Sequence, residues 1–440
     1  MGMALATEHD TPREHKATGS LNIIFLLSHL RNSATYVRAV NLATQLAARG
    51  NEVTLVAPSP DSHFRSVSSA TSGVTLVETP CFGHYPLGGF TTRLYLDPGG
   101  GPLDTAARLR MLLSDRYDIV QLFDHSPNVA LPFYLLRNRI RARFVSDWCD
   151  IYHCDGGLRD HNCFRLDPLY RLAGSPFRAY SRFVEHDLRR KVDAVAAIST
   201  GLRDYAVASG VSPDRVFLLE GGADVDGIKP LSRNAARLRL GMPAQGKIVG
   251  FLGTFQRDLD IVIRSFVLIR QAVPDVRLLV IGSPHEETRR RVREEGLSDA
   301  YIEAGRCSDD MLPWYLAAAN VFALPLRDNP ANATRWPNKI GEYMAAGRPT
   351  VVNNVGDIAD VVKKYKIGLV ADQGAIPFAA QLARLLLDEP LAEELGKNAR
   401  ETACNRYSWA LLAGELENRY RMLLMKEAVE KQPAERHSQG

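Results

Sequence analysis

At 440 residues the chain is long for one hydrophobic core, so two domains are the natural expectation. Hydrophobic residues make up 45% and charged residues 24% of the sequence, as in ordinary soluble globular proteins, and no apolar run approaches the roughly 20 residues that cross a bilayer. The net charge of +4 permits contact with phosphates or an anionic membrane but does not require nucleic acid, so no nucleic-acid partner is expected.

Both ends of the chain differ in composition from the rest. Residues 1–20 are polar, carry both charge signs and lack the apolar core of a secretion signal, so they are expected to form a disordered leader. Residues 427–440 have the same character and are expected to form a disordered tail. These features predict a cytoplasmic protein, and peripheral contact with the inner membrane face stays open.

The first half of the chain alternates short apolar runs with segments of helical periodicity. Leu21–Leu27 is an apolar run of the kind found in buried parallel strands. It is followed by a helical pattern, Ala34–Arg49, and by a second apolar run, Val53–Ala57, which together predict a βαβ unit. The alternation continues through Tyr117–Phe123, Val129–Arg137, Arg143–Ser146 and Val192–Ile198.

The second half repeats this alternation. Lys247–Gly253, Leu259–Val273 and Val276–Gly282 have the pattern of strand, helix and strand. Further strands are predicted at Tyr301–Ala304, Val321–Pro325 and Gly368–Ala371, with helices at Met311–Ala319 and Ile376–Leu387. Alternation in both halves predicts an α/β protein with two doubly wound parallel sheets.

One segment, Thr334–Asp360, combines the features of a phosphate- and sugar-binding element. A polar loop, Arg327–Asn338, leads into a predicted helix, Lys339–Ala346, whose one acid is Glu342. A loop that enters a helix offers unpaired backbone N–H groups and the positive end of the helix dipole, which suit phosphate or sugar oxygens. Glu342 is then placed to accept hydrogen bonds from a ribose diol; the alternative is a surface helix with a solvated acid.

The stretch EYMAAGRPTVV around Glu342 resembles the sugar-donor motif of the retaining, GT-B-fold glycosyltransferases of family 4, the glycosyl transferases group 1 type. NLATQLAARGNEVTLV, VDAVAAIST, GGADVDGIKP and CSDDMLPWYLAAANVFALP resemble other family segments in the same order. The family has two acids eight positions apart; Glu342 matches the second, and Thr334 stands in place of the first. The resemblance implies a hexosyltransferase with two Rossmann-like domains facing each other across a cleft. It would use a nucleotide-diphosphate sugar and retain the anomeric configuration.

The resemblance and the composition together predict the domain organisation. An acceptor-side Rossmann-like domain is expected over residues 21–222, and a nucleotide-sugar-binding Rossmann-like domain over residues 246–408. The expected linker is 223–245, next to a Gly- and Asp-rich hinge. Residues 409–426 are expected to form a helix that crosses back onto the first domain, as in the family.

The resemblance also implies how a leaving diphosphate would be stabilised. GTFQRDLD is similar to a shortened form of the family's glycine-rich loop, with Arg257 at the place of a family lysine and Thr254 at that of an arginine. Gly253 would let a phosphate approach the backbone, and Arg257 would bind two of its oxygens, unless Arg257 is a solvated residue at a helix start. The expected substrate-binding residues are Gly253, Thr254, Arg257, Arg335, Asn338, Lys339 and Glu342.

On the first domain, polar residues follow two predicted strands: Asp124 and His125 in LFDHSP, and Asp147 and Asp150 in SDWCD. Sites in doubly wound sheets form beyond the carboxyl ends of the strands. We select His125 and Asp147 as catalytic residues, together with Arg257 of the second domain, although a lone histidine is more often structural. In the family the leaving phosphate is thought to help deprotonate the acceptor, so no dedicated general base is required.

No metal or cofactor is expected, since no DxD motif lies in a suitable loop and the nucleotide-diphosphate sugar is a substrate. Cys149, Cys154 and Cys163 nevertheless lie close together, beside His153 and His161. Their spacing fits no paired CxxC pattern, so a metal-free loop is favoured over a zinc site or a local disulfide.

The acceptor remains open among a glycan, a lipid-linked molecule and a small molecule. Trp148, Tyr152 and Trp336 are candidates either to stack on a sugar or to cover the cleft. Arg165–Lys191 carries seven cations among apolar residues, which suits either an anionic membrane surface or a solvated helical face. Because Thr334 and Thr254 replace two family site residues, the alternatives to a transferase are a non-catalytic nucleotide-binding or partner subunit and a sugar-nucleotide epimerase or hydrolase.

Overall fold

The computed structural model describes residues 19–28, 33–59, 67–80, 101–152, 175–253 and 256–430. Within these ranges the side chains at 67, 101, 175–178, 181, 256–258 and 427–430 are not described. The first domain contains strands β1 (Asn22–Leu27), β2 (Glu52–Pro58), β3 (Val67–Thr71), β4 (Val74–Thr79), β5 (Ile119–Phe123), β6 (Arg143–Trp148), β7 (Ala194–Ala197) and β8 (Val216–Leu218). Its helices are α1 (Ala34–Ala48), α2 (Gly101–Ser114), α3 (Pro127–Leu136), α4 (Ser175–Lys191) and α5 (Thr200–Ala208).

The strands of the first domain form one sheet in the order β3-β4-β2-β1-β5-β6-β7-β8. All neighbouring strands are parallel except β3 and β4. The central strands β1 and β5 are buried along almost their whole length, because helices cover both faces of the sheet. This explains why both strands were recognisable as continuous apolar runs.

The second domain is a smaller sheet of the same kind. Its strands are β9 (Ile248–Leu252), β10 (Arg277–Ile281), β11 (Tyr301–Gly305), β12 (Val321–Leu324), β13 (Thr350–Asn353) and β14 (Gly368–Ala371). Its helices are α6 (Arg233–Arg239), α7 (Gln256–Ala272), α8 (Glu286–Glu294), α9 (Leu312–Ala318), α10 (Pro330–Thr334), α11 (Lys339–Ala345), α12 (Gly356–Tyr365), α13 (Ala375–Leu387) and α14 (Glu389–Thr402). The order β11-β10-β9-β12-β13-β14 is parallel throughout. The predicted fold class, two parallel-sheet α/β domains, is confirmed.

Two local features depart from the sequence-based expectation. The predicted polar loop Arg327–Asn338 contains the short helix α10, because Asn329 caps it by accepting from Asn332 N at 2.9 Å and Pro330 occupies its first turn. The hairpin of β3 and β4 was not predicted. Its turn places Ser72 and Gly73 at positive φ, 51° and 77°, which is the geometry of a tight hairpin turn.

The crossing between the domains is packed against two tryptophans. A Cβ on Gly221 would lie 2.3 Å from Trp336 Cδ1, and one on Gly222 would lie 2.3 Å from the Trp409 ring. Arg400 holds the following residues by donating to the carbonyl of Val225 at 2.9 Å. The glycine pair is therefore required by close packing of backbone against aromatic rings.

A last helix, α15 (Trp409–Glu430), lies against the first domain. Trp409 and Tyr420 belong to the same buried cluster as α1 and the strand β1, and the Tyr420 hydroxyl donates to Gln121 Oε1. Glu417 accepts from Arg49 Nε at 2.5 Å. The end of the chain thus ties the two domains together a second time.

Polar contacts also join the domains directly. Ser199 Oγ donates to the carbonyl of Thr334 at 2.5 Å, and Thr200 donates to Asp357 through its backbone N at 2.7 Å and its hydroxyl at 2.6 Å. Asn338 Nδ2 donates to the carbonyl of Ala34 at 3.1 Å. Across the described ranges, none of the helices combines the length and apolar character needed to traverse a bilayer.

Candidate functional site

A cleft opens where three strands of the second domain end. β9, β10 and β11 are each closed by a glycine with positive φ: Gly253 at 115°, Gly282 at 141° and Gly305 at 68°. Side chains at these positions would be strained, so the carboxyl edge of the sheet is left as bare backbone. This edge is where doubly wound sheets bind ligands.

The cleft has a volume of about 500 Å³ and is bounded by both domains. Ala34 and Val37 on α1 form the wall on the first domain. The second domain contributes Leu252, Gly253, Ile281, Gly282, Gly305, Arg306, Cys307, Asp309, Leu312, Arg335, Pro337, Asn338, Lys339 and Glu342. Five residues expected from the sequence to bind substrate thus line one cavity: Gly253, Arg335, Asn338, Lys339 and Glu342.

Lys339 supplies positive charge at the glycine edge. Its ammonium lies 4.3 Å from the centroid of the Phe251 ring, and a Cβ built on Gly253 would be 3.4 Å from it. An ammonium beside open backbone is a suitable arrangement for an anionic oxygen. Thr254 lies outside the described residues, and of Arg257 only the backbone, in the first turn of α7, is described.

One carboxylate oxygen of Glu342 lacks a hydrogen bond within the described part of the chain. Its Oε2 atom is buried and has no partner among the described atoms. Burial raises the pKa of this carboxyl to about 7, and the nearby Asp224 adds to the rise while Lys339 opposes it. A half-buried acid with an unsatisfied oxygen is suited to accept hydrogen bonds from a bound molecule.

Thr334, at the place of the family's first acid, does not extend into this cavity. Its hydroxyl donates to the carbonyl of Pro330 at 2.8 Å, within its own helix, and the side chain is almost fully buried. Its carbonyl is held by Ser199, as described above. The position is therefore part of the contact between the domains.

Asp147, selected from the sequence as catalytic, lies inside the first domain. Its carboxylate accepts from Arg38 Nε at 3.0 Å and Nη2 at 3.2 Å, and from Gln121 Nε2 at 3.1 Å. Arg38 also donates to the carbonyls of Leu219 and Glu220, both at 2.7 Å. Asp147 and Arg38 are both fully buried, so this geometry favours a structural role, contrary to our selection.

His125 follows β5 at the carboxyl edge. Its Nδ1 lies 2.8 Å from Asp124 Oδ1, and its ring meets that of Tyr152 edge-on at 5.5 Å. Asp124 has a positive φ of 80° and also accepts from Ser28 Oγ at 3.0 Å. Strained backbone held by several hydrogen bonds is characteristic of functional sites, so His125 remains a candidate.

Asp150, the alternative acid after β6, is half-buried and faces the second domain. Burial raises its pKa to about 7; the negative charges of Asp124 and Glu185 add to the rise, and Arg335 from across the cleft opposes it. Asp150 is thus the strand-end acid that interacts with both the His125 side and the donor-side cavity. The groups that distinguish Asp150 from Asp147 come together only in the folded structure, so sequence spacing alone could not separate the two acids.

The cysteine cluster is described only in part, since Cys154, Cys163, His153 and His161 lie outside the described residues. The Cys149 thiol donates to Asp147 Oδ1 at 2.9 Å, and burial, with the Asp147 charge, raises the pKa of that thiol. Zinc requires a thiolate, so this setting disfavours Cys149 as a ligand. No group of three potential metal-binding side chains occurs in the part of the chain that the structure describes.

The two tryptophans considered for sugar stacking are buried. Trp148 is covered by the Arg189 guanidinium, 4.0 Å from its ring, and Trp336 packs between the hinge and Tyr407. Both therefore serve the core. Three cleft residues that the sequence analysis did not predict follow β11: Arg306, Cys307 and Asp309. The glycines at the ends of β9, β10 and β11 are a sequence signal that could have identified this edge of the sheet.

Comparison with known proteins gives the same assignment to both domains. A family model described as a glycosyl transferase 4-like domain matches residues 34–222, and one described as glycosyl transferases group 1 matches residues 232–402. Sucrose-phosphate synthase from Thermosynechococcus elongatus superposes with a TM-score of 0.69 at 20% identity, covering 92% of this chain and 99% of that one. That likeness establishes the fold.

Two relatives are similar over about half of this chain. A GDP-mannose-dependent alpha-(1-6)-phosphatidylinositol monomannoside mannosyltransferase of Mycobacterium tuberculosis is 29% identical over 233 residues, 51% of this chain and 60% of its own length. A D-inositol 3-phosphate glycosyltransferase of Corynebacterium urealyticum is 29% identical over 242 residues, 51% of this chain and 55% of its own length. The two family models match 189 and 171 residues, which together are well over half of the 440 residues. The chain therefore belongs to the glycosyl transferases group 1 family.

Proposed function

We propose that this protein transfers a hexosyl group from a nucleotide-diphosphate sugar to an acceptor hydroxyl with retention of anomeric configuration. The observation that carries this proposal is the convergence of Gly253, Lys339 and Glu342 on one cleft with an unsatisfied carboxylate oxygen. The GDP-mannose dependence in the name of the mycobacterial relative supports a nucleotide-sugar donor. Retention is supported by the family resemblance of the donor segment.

The donor would be held through its nucleotide and its diphosphate. Glu342 would accept hydrogen bonds from the ribose diol, which would satisfy its buried Oε2. Lys339 and the open backbone at Gly253 would meet the diphosphate, together with Arg257 and Thr254, whose assignment comes from the family resemblance. Cations of the protein would then stabilise the negative charge on the leaving group, and no metal or other cofactor is needed.

On the acceptor side we assign His125 and Asp150 rather than Asp147. Parallel strands β5 and β6 are neighbours, so the residues that follow them lie at the same edge of the sheet. Asp150 would accept a hydrogen bond from the attacking hydroxyl, and Arg335 would lie between this acid and the donor. The acceptor would be a glycan, a lipid-linked molecule or a small molecule, and we propose that the reaction occurs in the cytoplasm.

The test is a donor panel with product analysis. Purified protein is incubated with UDP-, GDP- and ADP-sugars and a set of acceptors, with and without EDTA, and the anomeric configuration of the product is read by NMR. Transfer with retention that survives EDTA is the expected result. Inverted product, loss of activity in EDTA that added metal restores, or release of free sugar without transfer would contradict the proposal.

Thr334 motivates the second candidate, a nucleotide-binding subunit without catalysis. The family acid is absent there, and the threonine hydroxyl is directed to Pro330 within its own helix. Calorimetry with nucleoside diphosphates separates the two candidates, because binding without turnover on any donor would favour the subunit. A Thr334→Glu variant that gained turnover would show that only the acid was missing.

A further inference from the structure

Two helices of the first domain lie side by side at its surface. The Tyr134 hydroxyl on α3 donates to Asp187 on α4 at 2.7 Å, and Lys191 Nζ of α4 lies 5.6 Å from the centroid of the Tyr134 ring. The inner side of α4 is anchored in the core by Val184 and Leu188, both fully buried. The two helices therefore present one continuous outer surface, here called the α3–α4 face.

The α3–α4 face exposes large apolar side chains. On α3, Leu131 and Leu135 lie one helical turn apart and are 38% and 52% exposed. On α4, Tyr180 is 40% and Phe183 59% exposed. Leucine and aromatic residues grouped on neighbouring helices in this way favour a partner that removes them from water.

The charges around these side chains are of one sign. The described acids of α4 are not available at the surface, because Glu185 is fully buried and Asp187 is bonded to Tyr134 and, at 2.7 Å, to Lys191. The exposed cations of the two helices and of the turn after α3 are Arg139, Arg141, Arg182, Arg190 and Lys191. An apolar patch bordered by cations is the pattern of helices that lie in the interface of an anionic bilayer.

We propose that the α3–α4 face binds the surface of a membrane containing anionic phospholipid, with Phe183 and Leu135 entering the interface and the cations contacting lipid phosphates. Because α4 remains packed on the domain core, the contact is peripheral. The inner side of the same helix reaches the acceptor edge, where Glu185 Oε1 accepts from Tyr152 N at 3.0 Å. The membrane would thus lie roughly one helix diameter, about 10 Å, from the proposed acceptor residues.

The test is partition of the full-length protein onto vesicles. Phosphatidylcholine vesicles with and without phosphatidylglycerol are floated with the protein at low and high salt. We expect binding to the anionic vesicles, weakened by salt. Arg182→Glu with Arg190→Glu should lower the partition by at least about tenfold, since each cation near an anionic surface contributes about fivefold. Phe183→Ser with Leu135→Ser should weaken binding at both salt concentrations.

Matched controls exist on the second domain. Arg290 and Arg293 on α8 have side chains 64% and 58% exposed and form only surface ion pairs, so Arg290→Glu with Arg293→Glu makes the same change in net charge elsewhere. Leu238 and Ile376 are 85% and 75% exposed, so Leu238→Ser with Ile376→Ser matches the apolar change. Both control variants should retain the wild-type partition.

Equal binding to neutral and anionic vesicles, no binding to either, or equal losses in the control variants would overturn the proposal. Circular dichroism of each variant shows that lost partition does not reflect unfolding. Size-exclusion chromatography tests whether the α3–α4 face instead binds another protein molecule. If the variant with Phe183→Ser and Leu135→Ser changed its oligomeric state but partitioned onto vesicles like the wild type, the face would be a protein interface. No turnover is measured, so failure here is distinguishable from failure of the proposed transfer reaction.

Discussion

The donor side and the acceptor side of the proposed active site are built in different ways. On the donor side, Gly253, Lys339 and Glu342 come from strand ends and from one helix that begins directly after a loop. On the acceptor side, Asp150 lies among the charges of Asp124, Glu185 and Arg335, which come from distant parts of the sequence. Asp147 is held by Arg38, 109 residues earlier. Local elements place the donor residues, whereas long-range charge networks place the acceptor residues.

The largest effect is expected when the acceptor-side network is broken. Asp147→Ala leaves the Arg38 guanidinium buried without its carboxylate, which should lower the free energy of unfolding by about 3–5 kcal/mol. Urea unfolding measures it. Asp299→Ala, which removes an exposed pair with Arg270, should cost no more than about 1 kcal/mol and is the control. A stable Asp147→Ala protein without activity would instead return Asp147 to the catalytic residues.

On the donor side, loss of a charged side chain should lower turnover and leave the free energy of unfolding unchanged. Lys339→Ala removes the ammonium beside Gly253 and should lower kcat by roughly 10²–10³-fold, the scale of one lost oxyanion donor. Lys339→Arg should recover part of it. Lys363, which is exposed and bonded to Asn354, provides the Lys363→Ala control. Full turnover in Lys339→Ala together with a large loss in Arg257→Ala would assign the diphosphate to Arg257.

A variant of Asp150 tests whether this acid, which follows β6, acts in the reaction while Asp147, which lies within β6, does not. Because its pKa is raised to about 7, the fraction of ionised Asp150 rises through neutral pH, and kcat should rise with it. Asp150→Asn should lower kcat by roughly 10²-fold at pH 8 and flatten that rise. It should also raise the free energy of unfolding in urea at pH 8, because an acid whose pKa is raised by burial destabilises the fold when it is ionised. A variant with wild-type kcat at all pH values would remove Asp150 from the mechanism.

Glu342 should show the smallest effect, with opposite signs for binding and for stability. Its folded pKa, about 7, exceeds the ordinary value of 4.5, so its contribution to stability is present below pH 4.5 and is lost as pH rises through 7. Glu342→Gln should therefore raise Tm at pH 8 more than at pH 5. It should also weaken nucleoside-diphosphate binding at pH 8 by about 1–3 kcal/mol, measured by calorimetry.

Glu294→Gln, at an exposed position of α8, is the control for both measurements and should change neither. If Glu342→Gln lowered Tm at pH 8, the free carboxylate would be stabilised by groups of the protein. If it raised Tm without any effect on nucleotide affinity, the buried oxygen would be satisfied by something other than ribose.

The same contrast explains how much was predictable from the sequence. The periodicity of apolar residues predicted the order of strands and helices, and one loop-to-helix junction predicted the donor segment from Arg335 to Glu342. Both signals are local, because the residues that carry them lie close together in the sequence. Asp147 and Asp150 are three positions apart and equally polar. Asp147 is internal because it pairs with residues that are distant in sequence, Arg38 and Gln121, and no local pattern contains that information.

The tryptophans illustrate the same limit. Trp148 and Trp336 stood beside candidate site residues and were considered as sugar-stacking groups, yet both are covered by distant partners, Arg189 and Gly221. The helix α10 was not predicted for a different reason. Its five residues are too few to show the periodicity of apolar residues that marks a helix, and the capping residue Asn329 was its one sequence signal.

The close approach of Gly221 to Trp336 has an evolutionary consequence. No residue with a side chain can replace Gly221 while Trp336 keeps its place, since even a Cβ would lie 2.3 Å from the indole. Trp336 lies beside the cleft residue Arg335, so a change at the hinge and a change in the donor loop are coupled and should be non-additive in a double-mutant cycle. Within the group of sequences nearest to this chain, these two positions should covary: glycine at the first with tryptophan at the second, and a larger residue at the first with a smaller side chain at the second.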